Sequence, residues 1–295
     1  YEMYIKTLHF WYEDQLKDDR QIEGITGKTL ASFQDRNVKQ LLYRLSKYNV
    51  AMLADSVGLG KTISAIGVIK QYRILKQRVV VVCPASLVLQ WREELAEAGM
   101  YEVQVLSVQN KVEIENTMTI DKYASIGLYV IDEAHNLRNS SSVRYKQLTE
   151  WISNNTDSHT LLLTATPINN SLSDLSNQIL LGSAGDQDIL PVNFKNDQGI
   201  IKQISFSEAI DNIIKRINQV KKRSENITTE EQNKRLEAVY KETREYIDPI
   251  MRAFVVRNTR DGIEREFGGV EINGVLKTFP KVEMNNITFN LDHIV

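Results

Sequence analysis

Between Ala54 and Thr62 the chain reads ADSVGLGKT, a glycine-bearing stretch that ends in Lys-Thr. An apolar run, VAMLA at 50–54, precedes it, and a helical pattern, TISAIGVIKQY, follows. A strand that turns tightly into a helix gathers backbone N–H groups around one point, where an anion is stabilised. Gly58 and Gly60 let the backbone wrap close to phosphate oxygens, Lys61 reaches β- and γ-phosphates, and the Thr62 hydroxyl is a hard ligand for magnesium. The strict form of such a loop has glycine where Asp55 stands. A second Gly-Lys-Thr, in GITGKT at 24–29, follows no apolar strand, so Lys28 and Thr29 read as turn residues.

A second chemical cluster is LYVIDEAH, which ends a hydrophobic run in Asp132 and Glu133. Ligands of open α/β sheets gather at the carboxyl ends of strands, so this pair and the glycine loop can meet. Asp132 would hold magnesium directly or through water, and Glu133 would orient and deprotonate an attacking water. Alone, Asp-Glu after a strand is a polar turn; beside the loop it would make the acid half of a site that hydrolyses a nucleotide's phosphates with Mg2+. His135 has no second His or Cys at ligand spacing, which argues against a zinc site. In LLLTATPINN, Thr164 and Thr166 end another strand, where their hydroxyls can relay the state of the phosphate site.

These residues need strands to carry them. Short β-branched runs recur at 50–54, 78–83, 103–106, 127–132 and 160–165, separated by helical stretches at 34–47, 61–76, 86–98 and 142–152. That alternation predicts an α/β domain with a parallel sheet sandwiched by helices. Past Gly185 strand-like runs thin out and long charged helices take over. SFSEAIDNIIKRINQVKK places Ile210, Ile213, Ile214, Ile217 and Val220 at helical spacing, with Ser205 and Glu208 suited to a capping box. A second helix starts near Thr228, paired with Glu231, and Pro249 should kink or end it. Lys215, Arg216, Lys221, Lys222 and Arg223 read as a solvated helix tip that complements the dipole, with a phosphate-contacting patch as the alternative.

Composition narrows the function classes. The 295 residues carry 36 basic and 38 acidic side chains, so any nucleic-acid contact must come from a local patch. The single cysteine, Cys83, permits no internal disulfide, and no apolar run approaches the roughly 20 residues that span a bilayer. The expectation is a protein without a membrane segment, cytoplasmic or, in a eukaryote, nuclear. YEMYIKTLHFWYEDQ at the start lacks the order of a signal peptide and resembles an amphipathic helix cut from a longer protein.

The order FQDRNV, ADSVGLGKT, VVVVCPASLVLQW, VIDEAHNLRNSSSVRYKQL and LLLTATPINNSLSDL resembles the first RecA-like lobe of superfamily 2 helicases, specifically the SWI/SNF-type DNA translocases. In that family the loop begins with Asp, so Asp55 is similar to a family mark, while Ser56 and Val57 depart from the usual Glu-Met. The resemblance implies a RecA-like P-loop NTPase fold with a helical protrusion, divided as an N-terminal extension (1–29), a first lobe (30–184), the protrusion (185–256) and a link (257–295). It implies that Gln34 recognises adenine, that Lys61 and Thr62 serve phosphates and Mg2+, that Asp132 and Glu133 serve metal and water, and that His135, Thr164 and Thr166 couple hydrolysis to movement.

CPASLVLQW is similar to the family's strand-contacting motif. Ser86 and Gln90 are candidates for DNA phosphate contacts, with helix capping by Ser86 and a surface Gln90 as the equal alternative. AFVVRNTRDGIEREF resembles the link, with Arg257 and Arg260 in basic positions and Asn258 where a second basic residue is usual. TIDKYAS at 119–125 is a poor match to the family's Ser/Thr-Tyr strand end.

By this resemblance the chain is half an engine. The implied whole is a DNA-dependent ATPase that couples ATP hydrolysis to translocation on duplex DNA, using arginine fingers from a second RecA-like lobe of the same parent chain. A fragment with one lobe should be nearly inactive, because a missing arginine finger costs about 10³ to 10⁵ in rate. The alternatives are a strand-separating helicase of restriction or repair type and a nucleotide-gated nucleic-acid-binding scaffold. Intact Lys61, Thr62, Asp132 and Glu133 argue against the scaffold.

Overall fold

A computed structural model describes residues 30–121, 125–196, 198–223, 229–272 and 275–279. The expected N-terminal helix, the GITGKT stretch with Lys28 and Thr29, and the cap at Thr228 lie outside them. The five apolar runs form strands β1 Val50–Leu53, β2 Arg78–Cys83, β3 Gln104–Ser107, β4 Ile126–Ile131 and β5 His159–Leu163. Further on, β6 Pro191–Lys195 and β7 Ile201–Ser205 pair only with each other, and β8 is the short Val255–Val256. The main sheet runs β3-β2-β4-β5-β1-β8, and every pairing in it is parallel.

Strands buried on both faces need apolar residues at every position, which is how VAML and IGLYVI read. One face carries Ala51, Leu53, Val79, Val81, Leu128, Val130, Leu161 and Leu163, covered by helices α1 Ser32–Tyr48, α2 Lys61–Ile74 and α3 Val88–Glu97. The other carries Met52, Val80, Val82, Tyr129, Ile131 and Leu162. After α4 Lys111–Asp121, helices α5 Val143–Ser153 and α6 Leu172–Gly182 cover that second face. The result is three layers, helix, sheet and helix.

The long helices α7 Phe206–Arg223 and α8 Thr229–Phe254 root in the same core, through Phe206, Ala209, Ile210, Ile213 and Ile217 on one and Tyr246, Ile247, Ile250 and Phe254 on the other. Ser205 Oγ accepts from Glu208 N at 3.2 Å, the first half of the expected capping box. Pro249 does not end α8, which runs on to Phe254. The ring forfeits the bond to the Glu245 carbonyl, and burial of Ile250, Met251 and Phe254 holds the last turn. The solvated-tip reading of the basic cluster also needs amendment. Lys215, Lys221 and Lys222 are exposed, whereas Arg216 donates to the Lys195 carbonyl at 2.7 Å and stacks over Phe194, tying α7 to the β6–β7 hairpin. That hairpin corrects the expectation that strands thin out past Gly185: PVNFK alternates, with Val192 and Phe194 turned into the core.

After β8 the chain forms α9 Arg260–Phe267 and a small antiparallel pair, β9 Val270–Ile272 with β10 Val275–Lys277. The start of TIDKYAS, Thr119 to Asp121, belongs to α4.

Helices α1 and α2 carry much of the sequence-predicted site, and a glycine sets their separation. A Cβ at Gly67 would lie 2.7 Å from Val38 Cγ2, on a β-branched side chain with little freedom to turn away. Gly67→Ala should therefore push α1 from α2 and cost about 1–3 kcal/mol as overpacking, despite alanine's better helix propensity. Urea unfolding of the variant beside the wild type measures this; an unchanged midpoint would contradict it.

Candidate active site

Strand order and parallel register bring the predicted residues to one edge. β4, β5 and β1 are consecutive in the sheet, with Ile131 beside Leu162 and Leu53 beside Leu163. Asp132, Thr164 and the start of the glycine loop therefore leave the sheet at neighbouring carboxyl ends. At about 4.8 Å between strands, the β4 and β1 tips are roughly 10 Å apart, enough for a phosphate chain, a cation and a water. Thr164 N donates to the Leu53 carbonyl at 3.1 Å and Asp132 N to the Val82 carbonyl at 2.8 Å, extending the ladders past the strands.

The loop from Asp55 to Gly60 turns back into α2 through left-handed glycines, Gly58 at φ 83° and Gly60 at φ 74°. Gly60 is also closed to side chains, since a Cβ there would lie 2.6 Å from Gln34 Nε2. Gly60 is the N-cap of α2 and supplies no side-chain cap, so the first N–H groups of the helix, beside Lys61 and Thr62, are left for an anion. Lys61 Nζ donates to the Asp55 carbonyl at 3.1 Å, folded over its own loop.

At the β4 tip, Asp132 Oδ1 accepts from Glu133 N at 2.8 Å and Asp132 Oδ2 from Trp91 Nε1 at 2.8 Å. Trp91 was not singled out by sequence, because its meeting with Asp132 follows from α3 packing against the edge strand β3. Glu133 adopts φ 51°, ψ 46°, a left-handed conformation uncommon for a residue with a side chain and shared here by Asn49, Lys76 and Ala184 at other turns. Glu133 Oε2 lies 3.1 Å from His135 Nδ1, and Thr164 Oγ1 lies 3.5 Å from the same nitrogen. Thr166 N donates to Thr164 Oγ1 at 3.1 Å. The acid and the three expected coupling residues thus form one connected chain.

Asp55 is fully buried and its carboxylate is engaged away from phosphate chemistry. Oδ1 accepts from Asn258 N at 2.6 Å and from Asn258 Nδ2 at 2.9 Å, and Oδ2 from Asn37 Nδ2 at 2.7 Å. Asn258 Nδ2 also donates to Asn37 Oδ1 at 2.7 Å, closing a knot of three side chains. Burial pushes the Asp55 carboxyl up to about 6, against the opposing pull of these hydrogen bonds and of Lys61.

Gln34 is buried against the loop: Oε1 accepts from Ala31 N at 3.1 Å and Nε2 donates to the Leu59 carbonyl at 3.2 Å. Ser86 and Gln90 are both exposed beyond the end of β2. Ser86 does not cap α3, whose N-cap is Leu87 without a side-chain bond, so that alternative is corrected.

Residues 27–169 match the family model described as the res subunit of type III restriction enzymes. An uncharacterised ATP-dependent helicase of Bacillus subtilis, YqhH, is 33% identical over 58% of this chain and 32% of its own length. The helicase SWR1 of Debaryomyces hansenii is 23% identical over 82% of the chain and 16% of its own length. The ATP-dependent DNA helicase DDM1 of Arabidopsis thaliana is 25% identical over 81% of the chain and 32% of its own length. The chain thus spans no more than about a third of these relatives. Among solved structures, the SWI2/SNF2 ATPase core of Sulfolobus solfataricus in complex with dsDNA aligns with a TM-score of 0.53 at 19% identity, over 81% of this chain and 47% of that one. The fold is RecA-like.

The buried Asp55 yields a pH signature. Its carboxyl sits near 6 in the folded chain against 3.8 ordinarily, so the native state holds the proton more tightly than the unfolded chain does. This group adds stability as pH falls through about 6 and levels off below about 4, a gain on the order of 3 kcal/mol. Measured by urea unfolding between pH 7 and pH 4, the stability of wild type relative to Asp55→Asn should rise by that order; a constant difference would contradict it.

Proposed function

We propose that this chain, a first RecA-like lobe of the superfamily 2 helicase type, binds ATP with Mg2+ and contributes the water-activating acid of a DNA-dependent ATPase. The supporting observation is the convergence, at adjacent strand tips, of an uncapped helix N-terminus and an aspartate–glutamate pair fixed by named hydrogen bonds. Lys61 leaves the Asp55 carbonyl for the β- and γ-phosphates, and the loop N–H groups hold the remaining oxygens. Thr62 and Asp132 offer the hard oxygens magnesium takes, and Trp91 fixes which Asp132 oxygen stays inside the protein. Held there, the cation would supply positive charge against the charge that develops on the phosphates. Glu133 receives the proton of the attacking water, held in reach by its left-handed backbone and by His135. Gln34 reads the adenine edge on the family's pattern, from the position where it now joins α1 to the loop.

His135, Thr164 and Thr166 pass the state of this acid toward the DNA side. Exposed Ser86 and Gln90 are the phosphate-contacting candidates, so duplex binding should show little sequence preference and strong salt dependence. Residues 30–184 form the lobe together with β8, which corrects the 185–256 division by returning Val255–Val256 to the main sheet; the helices before β8 form the protrusion and 257–295 the link to a second lobe that supplies arginine fingers, in the cytoplasm or nucleus. A matching model named for a restriction subunit keeps strand separation as the second reading, while the SWI/SNF-type relatives favour translocation without it.

A fluorescent ATP analogue titrated into the 295-residue chain should bind with a magnesium requirement. Lys61→Ala should weaken it at least tenfold, whereas Glu133→Gln should leave affinity within a few-fold. Unimpaired binding by Lys61→Ala would remove the basis of the reading. In the two-lobed protein, Glu133→Gln should lower DNA-stimulated hydrolysis by at least about 10², the scale of lost general-base catalysis. Triplex displacement without duplex unwinding would favour translocation, and clear unwinding the second reading. Trp91→Phe, which keeps the ring but removes the donor to Asp132, should raise the Mg2+ needed for half-maximal binding several-fold; an unchanged requirement would make Trp91 a packing residue only.

A further inference from the structure

The phosphate loop does not stand alone: a second segment runs along it. β8 pairs with β1 in parallel, Met52 beside Val255 and Leu53 beside Val256, and the pairing does not stop where the strands do. Ala54 N donates to the Val256 carbonyl at 2.7 Å and Ser56 N to the Asn258 carbonyl at 3.1 Å. Arg260 Nη2 reaches the Val57 carbonyl at 3.1 Å, and a Cβ on Gly58 would come within 3.3 Å of that same nitrogen. Leu59 is buried against Ile263, with Phe267, Val270 and Phe279 packed around them. Residues 54–59 and 256–263 are therefore matched step by step around the turn, and the Asp55, Asn37 and Asn258 side chains lock the middle of the match. Arg36 braces the outside, donating to Asn258 Oδ1 at 3.3 Å, pairing with Glu266 and lying over the Phe267 ring.

We propose that Asp55 is a positioning residue that fastens the phosphate loop to residues 256–267, so that nucleotide binding is transmitted to that segment directly through the loop. The proposal rests on the nucleotide reading above and adds its output. Lys61 holds the loop from one side by its bond to the Asp55 carbonyl, and phosphates compete for that ammonium. When they take it, the loop's remaining anchor at this residue is the carboxylate, and its partners lie on α1 and on the segment after β8. A shift of Asp55 then moves Asn258 with it, because two bonds join Asp55 Oδ1 to Asn258, one to its backbone N and one to its side chain. Such coupling needs two sites that bias one shared element, and the paired ribbon is that element.

Asn258→Asp sets a second carboxylate against Asp55 and breaks the knot without touching the glycines, Lys61 or Thr62. Asn37→Ala removes the donor to Asp55 Oδ2 and the acceptor of Asn258 Nδ2 but leaves both Asp55–Asn258 bonds in place, so it loosens the knot without opposing charge and without cutting the link. Amide hydrogen exchange of residues 256–267 is read with and without Mg2+ and a non-hydrolysable ATP analogue, beside the affinity of a fluorescent one. In the wild type, nucleotide should change exchange in 256–267 by at least threefold. In Asn258→Asp, exchange there should be at least tenfold faster and indifferent to nucleotide, while β2 and β4 amides stay protected; Asn37→Ala should keep the response. Analogue binding with no change in 256–267, or a wild-type response in Asn258→Asp, overturns the coupling alone. No analogue binding at all overturns the nucleotide reading and this inference with it.

Discussion

Everything in the site follows from one geometric constraint, that the sheet is parallel throughout. Parallel strands need helical crossovers, and crossovers cover both faces, so each strand must be apolar at every position. Val79 to Cys83 and Leu128 to Ile131 meet that demand with nearly complete burial. The same constraint sends all carboxyl ends to one edge, where the chain must leave the sheet and polar groups can reach solvent or ligand. Asp132, Thr164 and the glycine loop sit together because β4, β5 and β1 are neighbours there, not because they are near in sequence.

Much of this was legible in the sequence. β1, β2, β4 and β5 fall within a residue or so of the apolar runs that announced them, and α1, α2, α3 and α5 within a few residues of the helical patterns. Those elements are long, apolar and bounded by glycine or polar turns, so local preference and final environment agree. The elements that escaped had weaker local signals. KVEIENTMTID in α4 shows little periodicity, β8 has two residues, and the β6–β7 hairpin has one buried face against α7 and α8. Pro249 suggested a helix end, and burial around it carried the helix on.

At the site, residue types read correctly as chemistry did not disclose their partners. Lys61, Asp132, Glu133, His135 and Thr164 were recognisable from their places after strands, but Trp91 gained meaning only once α3 was laid over the sheet. Asp55 looked like a mark without a mechanism. Its partner Asn258 is 203 positions away, and no local pattern connects them. Amides of Asn258 and Asn37 surround this carboxylate, so hydrogen bonds, with a further pull from Lys61, offset its burial only in part and the carboxyl is held near 6. A buried carboxylate held chiefly by amides costs stability but keeps its geometry through directional bonds.

The paired ribbon also constrains how the molecule is made. Residues 50–182 contain five of the six strands of the main sheet, yet the strand that borders β1 and the segment that lines the glycine loop come only after α7 and α8. Closing that separation carries the entropy of a very long loop, and such contacts form late. On a ribosome the loop would emerge early and wait, unfinished, until the two long helices had been synthesised and docked. Bracing of the glycine turn is in this way deferred until the helical pair is in place, and a chain interrupted within that pair would hold a sheet with its glycine turn unbraced.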